Sequence, residues 1–551
     1  MDNITVTLDN ESIIVPKGIF LFDFVKDNYK DDVPCIACYM NNELVSLDKT
    51  IDEDCKIKFI NYLHPIGNRI YQKGLVFLLV YAFKEIYGYD EKIKLCHPID
   101  KAIKVRSSCT ITEESLNELK EKMLSVVNEN MKIEKCLVKR RDAKSYFESI
   151  GNKTKAETFN FNTNHYISLY KLGDLYDYFF SVMPYSTGFL NKFELHRLSN
   201  HSFVLSFPTV EDKGEIPPYI ERDKITKAFD NNYKLSKRMG IFTSADLNNR
   251  IAEGKASDII KLTEAVSCAN LLGLAKLIDD NRERIKLVLL AGPSSSGKTT
   301  TTKKLAMYLK VFGLNPKYLS IDDYFKNRFD NPLLPDGSYD FESINAIDIN
   351  LFNEHLTKII AGEEVNIPSF NFFKGEREYL GNKIKLKNQD ILIIEGLHAI
   401  NEELTKTISK EQKYKVYVSP LTDLNIDDHN MVSNSDIRLL RRIIRDNRTR
   451  GYSAEETIRK WQDVRDGETK NIFPFQNDVD FVFNSSFPYE IGVLKNFAEP
   501  LLYEIDNDSD CYEEAVRLLN FLNLFVGIPD TEIPNDSIFR EFIGNSYFDG
   551  R

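Results

Sequence analysis

The sequence predicts a multidomain α/β protein, and three observations carry that expectation. The chain has 551 residues, too many for one ordinary domain. Between residues 285 and 505, near-continuous apolar runs alternate with helix-compatible segments, the pattern of a parallel sheet covered on both faces. One of those runs, Lys286-Leu-Val-Leu-Leu-Ala291, leads into Gly292-Pro-Ser-Ser-Ser-Gly-Lys-Thr-Thr300, and a helical stretch (299–311) follows. Strand, glycine-rich loop and helix in that order make a phosphate-cradling loop of the form G-x-x-x-x-G-K-[ST].

Composition bounds the rest. Hydrophobic residues at 42% and charged residues at 28% fit folded globular domains. A net charge of −11 argues against a chain that binds nucleic acid over its whole surface and leaves a local patch, for instance on the N-terminal modules, as the one route to it. The longest apolar run, Leu75 to Phe83, is well short of the ~20 residues that span a bilayer. The opening Met1-Asp-Asn-Ile-Thr lacks the basic and apolar segments of a secretion signal. Eight scattered cysteines do not form a disulfide framework, and Cys35-Ile-Ala-Cys38 reads as a pair of buried free thiols. A reducing cytoplasm is the expected setting. Hydrophobic patterning exposes no subunit interface, so the oligomeric state is left open.

Five units are expected in order. Residues 1–62 read as short strands around one helix, a β-grasp pattern: Ile4–Leu8, Glu11–Val15, a helix over Phe20–Tyr29, Cys35–Tyr39, Glu43–Val45 and Lys56–Ile60. Residues 63–212 form an α+β unit with a buried helix over Gly74–Tyr87, an amphipathic one over Glu113–Val127 and a strand at Ser202–Phe207. His196 and His201 are five apart, on different faces of either element, which argues for structural histidines and not a metal site. Pro217-Pro218 begins a helical connector (213–284) with apolar residues at helical spacing over Ser257–Asp279. The parallel-sheet unit (285–505) adds strands at Lys317–Ile321, Asp390–Glu395, Tyr414–Val418 and Asp480–Phe483, and residues 506–551 close the chain as a helical appendage.

The chemistry gathers around the loop. Gly292, Pro293, Ser294, Ser295, Ser296, Gly297, Lys298, Thr299 and Thr300 are expected to hold a nucleoside triphosphate, ATP or GTP. Lys298 would reach the β/γ-phosphates and the Thr299 hydroxyl would face Mg²⁺. In an open α/β sheet the ligand lies beyond the carboxyl ends of the strands, where Asp322 and Glu395 fall. Glu395 is expected on the metal side with Thr299, and Asp322 is expected to take the proton of an attacking hydroxyl, with Asp323 its rival. On a helical wheel Arg438, Arg441, Arg442, Arg445 and Arg448 share one face, expected to lie over the triphosphate.

With those residues in place, 285–505 resembles the uridine kinase/phosphoribulokinase family, whose fold is the P-loop NTPase-type parallel sheet. Leu319-Ser-Ile-Asp-Asp-Tyr-Phe325 resembles the segment whose first acid is the catalytic base, which implies Asp322. Tyr339-Asp340 resembles the ribose-holding segment, Ile367-Pro-Ser-Phe-Asn-Phe372 the base clamp, and Ile394-Glu395-Gly396 the magnesium-side strand end. The resemblance therefore implies substrate contacts from Asp322, Asp340, Phe370, Phe372, Arg442, Arg445 and Arg450, with Asp322, Lys298, Arg442 and Arg445 catalytic. Two positions depart from the pattern. The clamp tyrosine falls on Phe370, and the histidine that reads the pyrimidine edge falls near Gly375. A pocket without its polar partner discriminates less, so the resemblance implies the reaction type and not uridine as the acceptor.

The flanks extend the likeness to bacterial uridine kinase-like nucleoside kinases with extra N-terminal units. Residues 2–61 resemble the TGS module, including Asn41-Asn-Glu-Leu-Val45, and 63–212 the second additional domain of threonyl-tRNA synthetase. With the Tyr81–Tyr87 helix aligned without gaps, the H-x-x-x-H pair of that domain would fall on Lys73 and Phe77, which argues against its editing chemistry. Asn535-Asp-Ser-Ile-Phe-Arg-Glu-Phe-Ile-Gly544 resembles the end of the same kinases. The expected activity is transfer of a γ-phosphoryl group to a nucleoside 5′-hydroxyl. The alternatives are a sugar-phosphate kinase like phosphoribulokinase, or a nucleotide-switched RNA- or ribosome-associated protein.

Overall fold

A computed structural model of the chain describes residues 3–549 except 10, 100, 334–336, 338, 341, 372 and 373. At the N-terminus, β1 (Asn3–Leu8), β2 (Glu11–Pro16), α1 (Leu21–Asn28), β3 (Cys35–Met40), β4 (Glu43–Val45) and β5 (Cys55–Asn61) form a mixed sheet, order β2-β1-β5-β3-β4, backed by α1. The period-2 pattern of β5 sends Ile57 into the core with Phe24 and leaves Lys56 and Lys58 in solvent. Cys35 and Cys38 are buried free thiols with sulfurs 3.9 Å apart.

The middle unit is built on α2 (Pro65–Tyr87), which begins nine residues before the expected Gly74. His64 Nδ1 accepts the Ile66 amide and Pro65 occupies the first turn, so the start lies where capping chemistry sets it. β6 (Ile93–Ile99), β7 (Ala102–Ser107), α3 (Glu113–Glu129), β8 (Glu134–Lys139), α4 (Arg140–Ser149), α5 (Lys153–Thr158), β9 (Tyr166–Leu172), β10 (Leu175–Tyr178), β11 (Glu194–Ser199) and β12 (Ser202–Ser206) follow. They make two antiparallel sheets, β11-β12-β7-β6 and β8-β9-β10. Only β12 was expected from the pattern. Pairing is irregular at Leu95/Pro98 and Arg197/Ser199, and β11 buries none of its residues, so no alternation marks it. Phe77 is fully buried against Phe179, whereas Lys73, one helical turn away, faces a cavity.

Helices α6 (Asp223–Met239), α7 (Ser244–Ala252) and α8 (Ala256–Asp280) lead to the parallel sheet. Its strands are β13 (Leu287–Ala291), β14 (Asn315–Ser320), β15 (Asp390–Glu395), β16 (Lys413–Ser419) and β17 (Phe481–Asn484), in the order β14-β15-β13-β16-β17 and all parallel. Alternate residues of β13 enter two cores, Val288 and Leu290 on one face and Leu287, Leu289 and Ala291 on the other. Helices α9 (Lys298–Val311), α10 (Ile349–Ile360), α11 (Asn434–Arg450), α12 (Ala454–Arg459), α13 (Trp461–Asn471) and α14 (Glu490–Tyr503) cover it.

The chain end corrects one expectation. Beyond α15 (Tyr512–Leu522) it is largely irregular, and it is no appendage. Ile538, Phe539, Phe542 and Ile543 belong to the same core as the central strand, and Ile538 packs on Gly297 of the phosphate loop.

The middle unit is fastened to the sheet by buried polar contacts around residues 425–430. Leu95 N–H donates to the Asp428 carbonyl (2.8 Å) and the Asn425 amide donates to the Leu95 carbonyl (2.7 Å). Lys155, 1% exposed, bonds Asp177 and also Asp427 (3.1 Å), and Asp177 bonds His429 (2.6 Å). Burial would raise the Asp177 carboxyl, but Lys155 and His429 overcome it and hold the group at about 2. Removing one partner of such a cluster strands the others. Lys155→Met should therefore lower unfolding free energy by about 3–5 kcal/mol, read from urea denaturation.

Candidate active site

The phosphate loop is shaped by what surrounds it. A Cβ on Gly292 would lie 2.0 Å from the Val418 carbonyl of β16, so only glycine lets the loop leave the sheet there. Ser295 (φ 57°) and Gly297 (φ 87°) take left-handed turns that direct amides inward. The amides of Gly297, Lys298 and Thr299 bond to no other described residue, and the Ser295 and Ser296 hydroxyls are buried without partners. Lys298 Nζ folds back to the carbonyls of Gly292 (2.9 Å) and Pro293 (3.2 Å).

The expected carboxylates converge on this loop. Thr299 Oγ1 lies 3.4 Å from Glu395 Oε1. Burial raises Glu395 to about 7, with the Asp322 charge adding and Lys298 opposing. Asp322 sits in a tight turn after β14, its amide capped by Ser320 Oγ. It reaches solvent, yet the walls around it raise its carboxyl, while Lys298 pulls the other way. Asp323 is engaged elsewhere, accepting from the Phe370 amide (3.3 Å) and Ser369 Oγ (3.4 Å). That leaves Asp322 as the carboxylate of the pair that points at the loop lysine.

The arginine face of α11 is divided in a way the helical wheel did not reveal. Arg438 and Arg441 are buried, 3% and 0% exposed, and do not form an open surface over a triphosphate. Arg438 donates to the Ser294 carbonyl (2.8 Å) and pairs with Glu468, whose carboxylate also accepts the Ser294 amide (2.7 Å). Arg441 pairs with Glu490, donates to the carbonyls of Ser485 (2.8 Å) and Ser295 (3.4 Å), and lies over the Phe542 ring. Both hold the outside of the phosphate loop. Arg442 donates to Ser294 Oγ (2.8 Å). Arg442, Arg445 and Arg450 all converge on Asp446, 1% exposed, at 3.2, 2.8 and 3.4 Å. Arg448 instead grips the chain end through the Glu541 carbonyl and Asp549.

On the acceptor side, Phe370 is buried beside Phe325, ring centroids 5.5 Å apart. Phe372 lies outside the described residues. The Asp340 amide donates to the Pro332 carbonyl, and its carboxylate bonds to none of the described residues. Gly375 adopts φ 71° with the Arg328 side chain packed against it. Two acids in the site escaped the sequence reading. Glu342, pushed up to about 7 by burial and then by Glu468, feels the opposing charges of Arg442 and Lys298. Glu541, from the chain end, accepts the Thr300 amide (3.1 Å). Glu342 lies two residues past Asp340, and Glu541 lies inside the 535–544 segment that the sequence likeness had marked without assigning it a role.

The donor set suits a nucleotide and Mg²⁺. The unpartnered loop amides suit phosphate oxygens, and Thr299 with Glu395 offers the hard oxygens that this cation takes.

This architecture, a parallel sheet whose central strand feeds a phosphate-cradling loop, is that of the P-loop class of α/β proteins. Residues 287–489 match the Phosphoribulokinase / Uridine kinase family, so the C-terminal region carries a domain of that family. A uridine kinase from Borrelia duttonii is 28% identical over 204 residues, 36% of this chain and 85% of that protein. A uridine kinase from Bacillus pumilus is 27% identical over 202 residues, 36% of this chain and 87% of that protein. A threonine–tRNA ligase from Finegoldia magna is 23% identical over 225 residues, 38% of this chain and 35% of that protein.

Asp446 holds Arg442, Arg445 and Arg450 in place, and Arg442 reaches Ser294 Oγ in the phosphate loop. Asp446→Asn leaves three guanidinium groups without their shared acid, so it should lower the thermal midpoint and also lower kcat about 10²-fold in the folded protein, whereas a purely structural residue would lower the midpoint at constant kcat.

Proposed function

We propose that this chain is a kinase that uses Mg²⁺ and ATP or GTP to phosphorylate the 5′-hydroxyl of a nucleoside. The convergence of Lys298, Glu395 and Asp322 at the carboxyl ends of three adjacent parallel strands is the observation that carries the reading. The family match and the uridine kinase relatives support a kinase of nucleosides or sugars.

In this reading the loop amides and Lys298 hold the β- and γ-phosphates, and Thr299 and Glu395 hold Mg²⁺, which when bound neutralises charge on those phosphates. Asp322 accepts the hydroxyl proton as the nucleophile attacks. Its raised affinity for that proton, set first by burial, suits a base. Arg442, Arg445 and Arg450 balance the charge that spreads over the transferred group, with Asp446 keeping them aligned. Asp340 is assigned to the sugar hydroxyls and the Phe370–Phe372 segment to the base. Aromatic packing there favours a nucleoside over a charged sugar phosphate. The partial match to a threonine–tRNA ligase supports relating the N-terminal units to the TGS module and the synthetase domain, here without the histidine pair.

The test is ADP or GDP release by the full chain with Mg²⁺, each donor, a panel of nucleosides and ribulose 5-phosphate. Turnover on a nucleoside is expected, and Asp322→Asn should reduce it about 10²–10⁴-fold while donor binding persists. Turnover on ribulose 5-phosphate alone would replace the acceptor. Turnover on nothing, with salt-sensitive RNA binding, would replace the reading with the switch protein.

A further inference from the structure

Thr300 is among the residues expected to hold the triphosphate, yet its amide donates to Glu541 Oε2 (3.1 Å), 241 positions further along the chain. The first bond that closes α9 runs from the Thr301 amide to the Gly297 carbonyl (2.9 Å). The amides of Lys298, Thr299 and Thr300 are therefore the open first turn of the helix. Gly297, at the cap position, has no side chain to satisfy them, so any anion on this helix end comes from elsewhere. Lys298 and Thr299 bond to no other described residue through their amides, and the third amide of the turn holds a carboxylate.

The backbone behind that carboxylate is fixed. Glu541 lies in a short helix, Arg540–Ile543, whose Phe542 and Ile543 are buried in the core shared with β13. Ile538 packs on Gly297, Arg540 pairs with Asp530 (2.6 Å), and Arg448 donates to the Glu541 carbonyl (2.9 Å). Glu541 itself is half-buried, so its side chain can turn outward while this core stays in place. Its charge is felt in the transfer cluster. Burial lowers the Lys298 ammonium, and Glu395, Asp322 and then Glu541 oppose that.

A phosphate received by the amides of Lys298 and Thr299 lies against the same helical turn as the Glu541 carboxylate. Two anions on one turn of a covered site repel each other, and a run of phosphates needs successive amides of the loop. We propose that Glu541 is an internal competitor of the donor nucleotide: its carboxylate holds the Thr300 amide until a phosphate of the donor takes it. The inference rests on the reading of this loop as a nucleoside triphosphate site. Donor affinity is then set below what the loop alone would give, by a residue outside the 287–489 region that matches the kinase family. A carboxylate that only capped α9 would have the opposite effect, because its loss would loosen the loop and weaken the donor's hold.

Titration calorimetry of the full chain with Mg·ADP and with Mg·GDP tests this on the natural sequence, Glu541→Gln and Glu541→Ala. Gln keeps the length of the side chain and an oxygen that accepts from the amide, and removes the charge. Ala leaves the amide open. Both variants should bind the diphosphate about tenfold more tightly than the natural sequence. Thermal midpoints without nucleotide control for folding. Unchanged or weaker binding by both variants would overturn the inference, and weaker binding with a lowered midpoint would assign Glu541 to holding α9. Tighter binding by the variants, with no turnover on any acceptor, would refute the kinase reading and leave this one standing. Turnover on a nucleoside with donor affinity unmoved by either substitution would refute this one alone. Binding of neither diphosphate to any of the three proteins would overturn both.

Discussion

The structure depends on one backbone constraint. A loop that turns its N–H groups inward to receive phosphate must turn its carbonyls outward, and in a covered site those carbonyls need donors. Arg438 and Arg441 are those donors, reaching Ser294 and Ser295. Because the two guanidinium groups are buried, each needs a buried acid, and Glu468 and Glu490 supply them. The acids in turn place α13 and the start of α14 against the loop. The loop therefore fixes two layers of structure behind it, each from the need to satisfy a charge or a hydrogen bond.

The chain end is held by the same region. Gly297 is free of a side chain where Ile538 packs, Phe542 lies under Arg441, and Glu541 occupies the Thr300 amide. Lys304 bonds both the carbonyl and the carboxylate of Asp536 at 3.0 Å, so the first helix after the loop and the last residues of the chain form one packed body. A carboxylate on an amide at the head of α9 satisfies one of the donors left open by the helix end. The region of the phosphate loop is thus built from residues about 240 positions apart in sequence.

Charge is sorted by burial. The arginines in contact with loop carbonyls are sealed from water, whereas Arg442, Arg445 and Arg450 keep partial exposure and share the single buried acid Asp446. That arrangement holds three like charges within reach of the loop without neutralising each one separately, which preserves their field for a phosphate ligand. The acids are divided in the same manner: Asp323 is committed to backbone and hydroxyl donors, and Asp322 is not.

What the sequence by itself determined is what local chemistry specifies. The glycine positions, the lysine and threonine of the loop, the apolar runs of β13, β15 and β16, and the acids at strand ends all follow from spacing and residue type, and so did the family likeness of 285–505. The helical wheel rightly grouped the arginines of α11, because periodicity is local. It could not tell Arg438 and Arg441 from Arg442 and Arg445, since burial depends on α13, α14 and Phe542 arriving from elsewhere. Most strands of the middle unit and the place of Asp446 went unread, and residues 506–551 read as a closing appendage. Only the tertiary structure decided those roles, because each is set by a partner distant in sequence, and no local pattern encodes which distant partner a side chain will meet.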